Sequence, residues 1–369
     1  MSETVTRVPV TPAGINGLTI NGLRTVARQE FRLRIRAGRW RWLLGLWFGV
    51  VLGFALLLRF GLAAVTPAED DRPLGPPLFG GVMLFVLGLG LLVVPALTAQ
   101  SVNGDRERGT LATLQVTRLS AAEIGLGKLA AAWGTALAFL ALTLPVVVWA
   151  LIEGGLPLGN VVVTLVVVGL LLGVVCALSQ ALSAVFARSI TSALLSYLTV
   201  FALTVGTLIA FGLVTALTNE AATVTYEQPN FDPQTGEVIP GGGTTTESYR
   251  TTRLRPDRTW PLLTPNPFVI LADSAPRLER RIDPRTGREV ARPLDPLGEI
   301  GDTVREARRP PRDDVSYALE SETTLRGGPG PLWPYGLIVD LLLAVGAATV
   351  TVRRLRTPTR KLARGVRIA

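Results

Sequence analysis

The sequence predicts an all-α polytopic membrane protein with six transmembrane helices, and three observations support this prediction. Hydrophobic residues make up 48% of the 369 residues, and the mean hydropathy is +0.40. These residues are concentrated in long blocks. A helix that crosses a bilayer core of about 30 Å needs roughly 20 apolar residues. Six blocks reach or approach that length, at residues 42–60, 78–97, 129–151, 161–182, 193–217 and 333–352.

The distribution of charge predicts how these spans are oriented. Residues 24–41 hold seven arginines and one acid, and residues 353–367 hold seven basic residues and no acid. Basic flanks mark the cytoplasmic ends of membrane spans, and an even number of spans places both flanks on one side. We therefore expect a cytoplasmic N-terminal segment, 1–41, and a basic cytoplasmic tail, 353–369. Residues 101–128, between spans two and three, then also face the cytoplasm.

The N-terminal segment is expected to contact membrane lipid. Leu23, Val26, Phe31 and Ile35 recur among its arginines at roughly helical spacing. This pattern predicts an amphipathic helix that lies in the cytoplasmic interface before span one.

The longest polar region, residues 218–332, lies between spans five and six and is expected to be extracytoplasmic. It is rich in Pro, Gly, Thr and Arg and contains two similar pieces, "FDPQTGEVIP" and "IDPRTGREVARP". Proline after aspartate presets a type I turn, and the following glycine supplies a positive φ. Both pieces are therefore typical of tight turns in β-hairpins, which predicts some β structure in this region.

The composition argues against several functional classes. The chain has one cysteine, Cys176, so it forms no intrachain disulfide, and it has no histidine. Histidine is the commonest metal ligand and the usual general base, so we expect no metal site and no catalytic residue. The basic blocks adjoin apolar spans, which indicates contact with anionic lipid and not with nucleic acid.

Two features inside the spans are candidates for packing or function. Gly45, Gly49 and Gly53 form a GxxxGxxxG ridge on one face of span one. Such ridges let helices approach closely, either within one subunit or at a dimer seam. Asp340 lies within span six, where ionisable residues are rare and mark functional sites. It is a candidate for the substrate path or for a pair with an arginine of residues 218–332. The alternative is a carboxylate that reaches a wet vestibule or a neighbouring helix.

The segment between spans two and three carries the strongest local signal. It begins "NGDRERGTLATLQ" and holds four consecutive charged residues, Asp105, Arg106, Glu107 and Arg108. Gly109 is expected to end a helix that continues span two, and Thr110 to cap a short helix with Leu111 and Leu114 on one face. "SAAE" at 120–123 then fits a capping box that starts the next helix. A simple spacer needs no such double capping, so we interpret the segment as a shaped surface.

This segment resembles the signature of the type-two permeases of ATP-binding-cassette (ABC) exporters. The family pattern, approximately G-E-R-E-x-G-T-L-x-x-L-L-x-T-P-L-S-x-x-E-I-x-x-G-K, follows the second of six spans. Here it reads "GDRERGTLATLQVTRLSAAEIGLGK". Asp105 replaces the usual glutamate, and Arg118 replaces the usual proline. "NPFVILAD", at 266–273, is similar to a weaker family feature before the last span.

The resemblance implies a mechanism that needs other subunits. A separate cytoplasmic ATPase, acting as a dimer, would bind ATP and Mg, whereas this chain has no ATPase motif and no cofactor of its own. Leu111 and Leu114 would enter a groove of the ATPase as part of a coupling helix. The residues that would surround this contact are Asp105, Arg106, Glu107, Arg108, Gly109 and Thr110. A second permease half, identical or homologous, would complete a pathway that alternates between inward and outward states.

Two other functional classes stay open at this point. A transporter that works without ATP needs polar residues through several spans, whereas these spans consist mainly of Leu, Val, Ala and Gly. A membrane-anchored protein that binds an envelope component leaves residues 101–128 unexplained. The apolar spans favour a hydrophobic or amphipathic cargo, such as a drug or a lipid. The heavy use of arginine, with only two lysines, favours a bacterial plasma membrane.

Overall fold

The computed structural model describes residues 18–36, 38–65, 73–110, 119–230, 244–276, 295–310, 314–316 and 330–356. Within these ranges, six helical segments are long and apolar enough to cross a membrane. Each contains one of the six predicted spans, which agrees with an all-α polytopic protein. The segments are Trp40–Ala64, Gly75–Glu107, Ala121–Ile152, Leu158–Val185, Ser189–Leu217 and Trp333–Leu355.

The first half of the chain forms seven of the described helices. They are α1 (Ile20–Arg36), α2 (Arg39–Val65), α3 (Gly75–Thr98), α4 (Asn103–Glu107), α5 (Ala121–Leu142), α6 (Leu144–Ile152) and α7 (Leu158–Val185). Span three is divided into α5 and α6 at Thr143, because Pro145 has no N–H to continue the helical hydrogen bonds. Pro95, in contrast, lies inside α3 and does not end it.

The second half contains the remaining helices. They are α8 (Ser189–Phe201), a π-helical turn (Ala202–Gly206), α9 (Thr207–Leu217), α10 (Pro256–Thr259), a 3₁₀ turn (Trp260–Leu263), α11 (Pro267–Ser274), α12 (Pro296–Ala307) and α13 (Trp333–Leu355). Span five therefore consists of α8, the π turn and α9, and span six is α13.

The core of the bundle lies between α3 and α7. Phe79 and Leu87 of α3 and Leu171 and Cys176 of α7 are at most 1% exposed. Around them pack α5, α11 and α13. Span five lies at the periphery, since only 6% of the residues in its most apolar 18-residue stretch are buried.

A tight turn closes the end of the bundle opposite the N-terminal helix α1. Gly154 and Gly155 have φ angles of 82° and 76°, which glycine adopts without the steric cost of a Cβ atom. A Cβ atom at Gly75 would lie 2.1 Å from the carbonyl oxygen of Gly154, so α3 begins in close contact with this turn. Beside it, Arg59 of α2 forms a salt bridge of 2.7 Å with Glu153.

The described part of residues 218–332 contains a small three-stranded sheet. The strands β1 (Glu220–Pro229), β2 (Thr244–Arg253) and β3 (Asp314–Ser316) lie in the order β2-β1-β3. β1 and β2 pair antiparallel, as the first predicted hairpin requires, whereas β3 runs parallel to β1. The turn sequence "FDPQTGEVIP" and the second similar piece lie outside the described residues.

The segment "NPFVILAD" forms α11 and fastens spans five and six to each other. Asn266 caps α11 and donates from Nδ2 to the carbonyl oxygen of Thr204 in the π turn (2.7 Å) and to Oγ1 of Thr207 (2.9 Å). At the other end of α11, Asp273 accepts from the backbone N–H groups of Leu332 (2.5 Å) and Trp333 (2.9 Å), where α13 begins.

Asp273 also holds α12, because Arg305 donates to its Oδ1 at 2.7 Å. Burial opposes ionisation of this carboxyl, but the hydrogen bonds from Arg305 and from the backbone at Trp333 and Leu332 outweigh it. The pKa of Asp273 therefore lies below its ordinary value of 3.8.

We predict that Asp273→Ala lowers the free energy of unfolding by about 3 kcal/mol, the low end for a broken buried ion pair, because Arg305 is partly exposed. The measurement is thermal or denaturant unfolding of the purified protein in detergent. Because the pKa of Asp273 is depressed, its contribution is complete above pH 3.8 and is lost as the pH falls through the folded-state pKa. Glu299→Gln, an exposed change on α12, is the matched control. Equal losses in both variants would contradict the anchoring role of Asp273.

Candidate functional site

The candidate site is the elbow, residues 99–110, which follows α3. α3 ends at Thr98, the chain turns through Ala99 to Val102, and α4 then resumes the helical path. The break is slight, because the N–H groups of Ala99 and Gly104 still reach the carbonyl oxygens four residues earlier, both at 2.8 Å. The predicted continuation of span two to Glu107 is thus interrupted by one turn.

Gly109 ends α4 in the way the sequence predicts. Its φ angle is +71°, in the left-handed region that glycine occupies at little cost. The hydroxyl of the next residue, Thr110, donates to the carbonyl oxygen of Asp105 at 3.3 Å and folds the chain back on α4. Leu111 and Leu114, with the rest of 111–118, lie outside the described residues.

A buried lysine joins the elbow to two other helices. The side chain of Lys128, on α5, is 3% exposed, and its Nζ lies 2.5 Å from Oδ2 of Asp105 on α4. The same Nζ donates to Oε1 of Glu30 on α1. The Nη2 atom of Arg108 also lies 3.0 Å from Oδ1 of Asp105. These four residues, the charge cluster, contain two carboxylates and two cations, so their formal charges balance.

The N-terminal helix α1 is fastened to α5 a second time, at Glu123. Oε1 of Glu123 accepts from the backbone N–H of Thr19 (2.9 Å) and from its hydroxyl (2.5 Å). The other oxygen, Oε2, accepts from the N–H of Ser120, and the hydroxyl of Ser120 accepts from the N–H of Glu123, so the predicted capping box is confirmed. Between these contacts α1 passes very close to Gly127, where a Cβ atom would lie 2.7 Å from Cβ of Val26.

Serine hydroxyls fix the other side of the elbow to α7 and α8. The backbone N–H groups of Val102 and Asn103 both donate to Oγ of Ser183 at 3.1 Å. From α8, Ser192 donates to the carbonyl oxygen of Ala99 (2.9 Å), and Ser189 donates to Oε1 of Glu107 (2.5 Å). The base of the elbow is thus held by α1, α5, α7 and α8 together.

No model of a known protein family matches the chain, and no curated protein matches it.

The predicted contact residues divide into a buried base and an exposed tip. Asp105 is buried in the charge cluster, and Arg106 is half-buried and donates to Oδ1 of Asn103 at 3.1 Å. The tip is exposed and consists of Glu107, Arg108, Gly109 and Thr110. The structure thus gives Asp105 an internal role and leaves the tip exposed to solvent.

α1 presents a row of positive charge at the same end of the bundle as the elbow. Its arginines at every fourth position are all exposed and share one face of the helix, and they are Arg24, Arg28, Arg32 and Arg36. The opposite face carries Val26, which is 3% exposed against α5. α1 therefore presents arginines to solvent on one side and packs Val26 against α5 on the other.

The glycine ridge of α2 faces away from the bundle. Within the described residues, a Cβ atom at Gly45, Gly49 or Gly53 meets nothing within 4 Å. The opposite face of α2 is the packed one, with Val51 and Ala55 fully buried. The ridge is therefore not a packing surface within the described part of this chain.

Asp340 lies inside the bundle, on α13. The residue is 2% exposed, and its Oδ1 has no hydrogen-bond partner among the described residues. It lines a small apolar cavity between spans. Among the described residues, no group of three or more His, Cys, Asp or Glu side chains lies close enough to hold a metal ion.

Sequence reasoning did not predict Glu30 and Lys128 as partners of Asp105, although both leave a compositional signal. Glu30 is the one acid among the seven arginines of residues 24–41, and Lys128 is one of two lysines in the chain. An unusual charge at such a position favours a specific partner. The spacing of neighbouring residues does not predict that Glu30 and Lys128 meet, because they are 98 residues apart.

We predict that Lys128→Met lowers the free energy of unfolding by about 3 kcal/mol, because it leaves the buried Asp105 and the partly buried Glu30 without their shared cation. The triple variant Glu30→Gln, Asp105→Asn, Lys128→Met removes the uncompensated charges and is expected to recover most of this loss. Both are measured by thermal unfolding in detergent. A triple variant no more stable than Lys128→Met would show that the cluster is not held by its charges.

Proposed function

We propose that this protein is the transmembrane permease subunit of an ATP-driven ABC exporter. The observation that supports this most directly is the elbow. The 25-residue stretch that resembles the family signature is closed on itself by the salt bridge between Asp105, near its start, and Lys128, at its end. Between them the tip of the elbow is exposed.

The elbow has the mechanical properties that a coupling segment needs. A segment that transmits movement from an ATPase must have a firm base and an accessible tip. Hydrogen bonds with Ser183 and Ser192 and the salt bridge to Lys128 hold the base. A push on the tip would therefore reach α1, α5, α7 and α8 at once.

The proposed orientation places the elbow, α1 and both termini in the cytoplasm, and the membrane is proposed to be the bacterial plasma membrane. The four exposed arginines of α1 favour this orientation, since they would meet anionic lipid headgroups at the cytoplasmic surface. α1 would then lie in the interface. Residues 218–332, which carry the sheet and α11, would lie on the extracytoplasmic side.

The proposed complex contains subunits that this chain lacks. A cytoplasmic ATPase dimer would bind ATP and Mg and receive the elbow tip. A second permease half, identical or homologous, would pack against α2, where Gly45 and Gly49 are exposed and permit close approach. The cargo is proposed to be hydrophobic or amphipathic, because the described core is almost entirely aliphatic.

A transporter that works without ATP is the second candidate, and one observation favours it. Asp340 is a buried carboxyl without a partner for its Oδ1 in the described structure, as in transporters that move protons or cations through their spans. The elbow has no evident function in a transporter that works without ATP.

We predict that the tagged protein, purified from its native membrane in mild detergent, carries with it a soluble subunit that contains a G-x-x-x-x-G-K-[ST] loop. Mass spectrometry identifies the partner, and ATP hydrolysis by the purified complex is the second readout. Removal of the tip residues 107–110 is expected to abolish the association. Recovery of this protein alone, in a folded state and without ATPase activity, would contradict the proposal.

We predict that Gly109→Ala weakens coupling to the ATPase while leaving the bundle folded. The positive φ costs alanine about 1 kcal/mol or more, and no atom lies within 4 Å of the new Cβ. The expected result is a loss of at least about fivefold in ATPase stimulation, since 1 kcal/mol changes an equilibrium about fivefold.

Gly38→Ala is the matched control for this variant. Gly38 is also exposed, a Cβ atom there also meets nothing within 4 Å, and its φ is not positive. Equal effects of the two substitutions would argue against a role for the shape of the elbow tip.

A further inference from the structure

Asp340 occupies a cavity that four parts of the fold enclose. It projects from α13 among side chains of α3, α7, span five and α11, of which the principal ones are Leu91, Leu171, Val175, Val200, Leu203 and Pro267. All of these are apolar. Among the described residues, the carboxyl is therefore the one polar side chain of the cavity wall, and its Oδ1 has no hydrogen-bond partner there.

None of the salt bridges among the described residues includes this carboxyl. The titratable side chains on α13 and on the elements around it are Glu123, Lys128, Cys176, Tyr197, Asp273, Tyr335, Arg353 and Arg354. Several are engaged elsewhere. Lys128 is paired with Glu30 and Asp105, Asp273 with Arg305, and the hydroxyl of Tyr197 donates to the carbonyl oxygen of Leu92 at 3.0 Å.

An ionised carboxylate is not stable in such a place. Removing the charge from water costs far more than removing the neutral acid, and no cation offsets the difference here. A metal ion does not fit, since its other ligands would have to be aliphatic side chains. The smallest ligand that neutralises the group is a proton, and it needs no extra space.

One wall of the cavity is suited to move. Val200 and Leu203 belong to span five, the least buried of the six spans. Leu203 lies in the π turn, a helical irregularity that often occurs at functional sites. The turn is held by Asn266, whose Nδ2 donates to the carbonyl oxygen of Thr204 and to Oγ1 of Thr207.

We propose that Asp340 is a proton-binding site, which holds a proton while the cavity is closed and releases it when span five moves away. On release, the O–H bond of the carboxylic acid breaks, the proton passes to an entering water molecule, and the electron pair stays on the carboxylate. Closure of the cavity reverses the step. This site is independent of the ATP-driven function, because proton binding needs no other subunit.

Infrared spectroscopy of the protein purified in a detergent without ester groups tests the proposal directly, because ester carbonyls absorb near the carboxylic acid band. At pH 6, exposed carboxylates, with ordinary pKa values of about 4, are ionised and give no carboxylic acid C=O band. We expect one such band in the natural protein. Asp340→Asn, which has nearly the shape of the neutral acid, is expected to remove it, whereas Glu299→Gln, at an exposed position, is expected to keep it.

The movement of span five has its own measurement. Transfer to D₂O shifts the band only when water reaches Asp340. Asn266→Ala removes the hydrogen bonds that hold the π turn. We expect the shift to occur about tenfold faster in this variant, because the loss of one or two buried hydrogen bonds makes opening easier by about that factor.

The outcomes separate this inference from the proposed function. Absence of a carboxylic acid band at pH 6, or a band that persists in folded Asp340→Asn, would overturn the proton site whatever the protein transports. An unchanged exchange rate in folded Asn266→Ala would overturn the part assigned to span five. The first readout comes from the natural protein, so it does not depend on the folding of a variant. A band that behaves as expected, with no associated ATPase, would leave the proton site standing and favour the transporter that works without ATP.

Discussion

The shape of one end of this protein depends on a single ammonium group placed between two carboxylates. Lys128 has little contact with solvent, and it reaches Glu30 and Asp105 on two different helices. Removing three charges from water is costly, and the cost is recovered only if the geometry is good and every charge keeps a partner. The arrangement therefore contributes less to net stability than to specificity. It permits one relative position of α1, α4 and α5 and penalises the others.

Polar contacts also decide the arrangement of helices at the opposite end of the bundle. In a lipid environment apolar side chains gain little by leaving lipid for one another, so polar contacts and close packing decide which helices meet. α11 is eight residues long, yet its N-cap residue Asn266 and Asp273 near its C-terminal end bind span five, α12 and the start of α13. Gly336 permits this, because a Cβ atom there would lie 2.3 Å from the carbonyl oxygen of Thr264. The two ends are thus fixed by polar groups, and the apolar middle fills the space between them.

The sequence predicts the features that depend on neighbouring residues. Six spans follow from length and hydropathy, the break at Gly109 from backbone freedom, and the capping box at Ser120 from a four-residue pattern. It does not predict which distant groups meet. The spacing of Gly45, Gly49 and Gly53 places them on one face but does not say what that face touches. For the same reason Asp105 was predicted only as an outward contact, because its partner Lys128 is 23 residues away and Glu30 lies on another helix.

The elbow shows how one motif can hold two kinds of information. Asp105 and Lys128 face each other, so substitutions there change the shape of the whole segment before they change any surface. Glu107, Arg108 and Gly109 are exposed. Substitutions at these positions change the surface of the segment and leave its base in place. Arg108 belongs to both groups, because it is exposed and also contacts Asp105 at 3.0 Å. In the proposed exporter, a partner that drew Arg108 away would remove one of the two cations that neutralise Asp105. Lys128 would then balance Asp105 and Glu30 alone, so docking at the tip would be felt electrostatically at α1 and α5 without any large displacement of the chain.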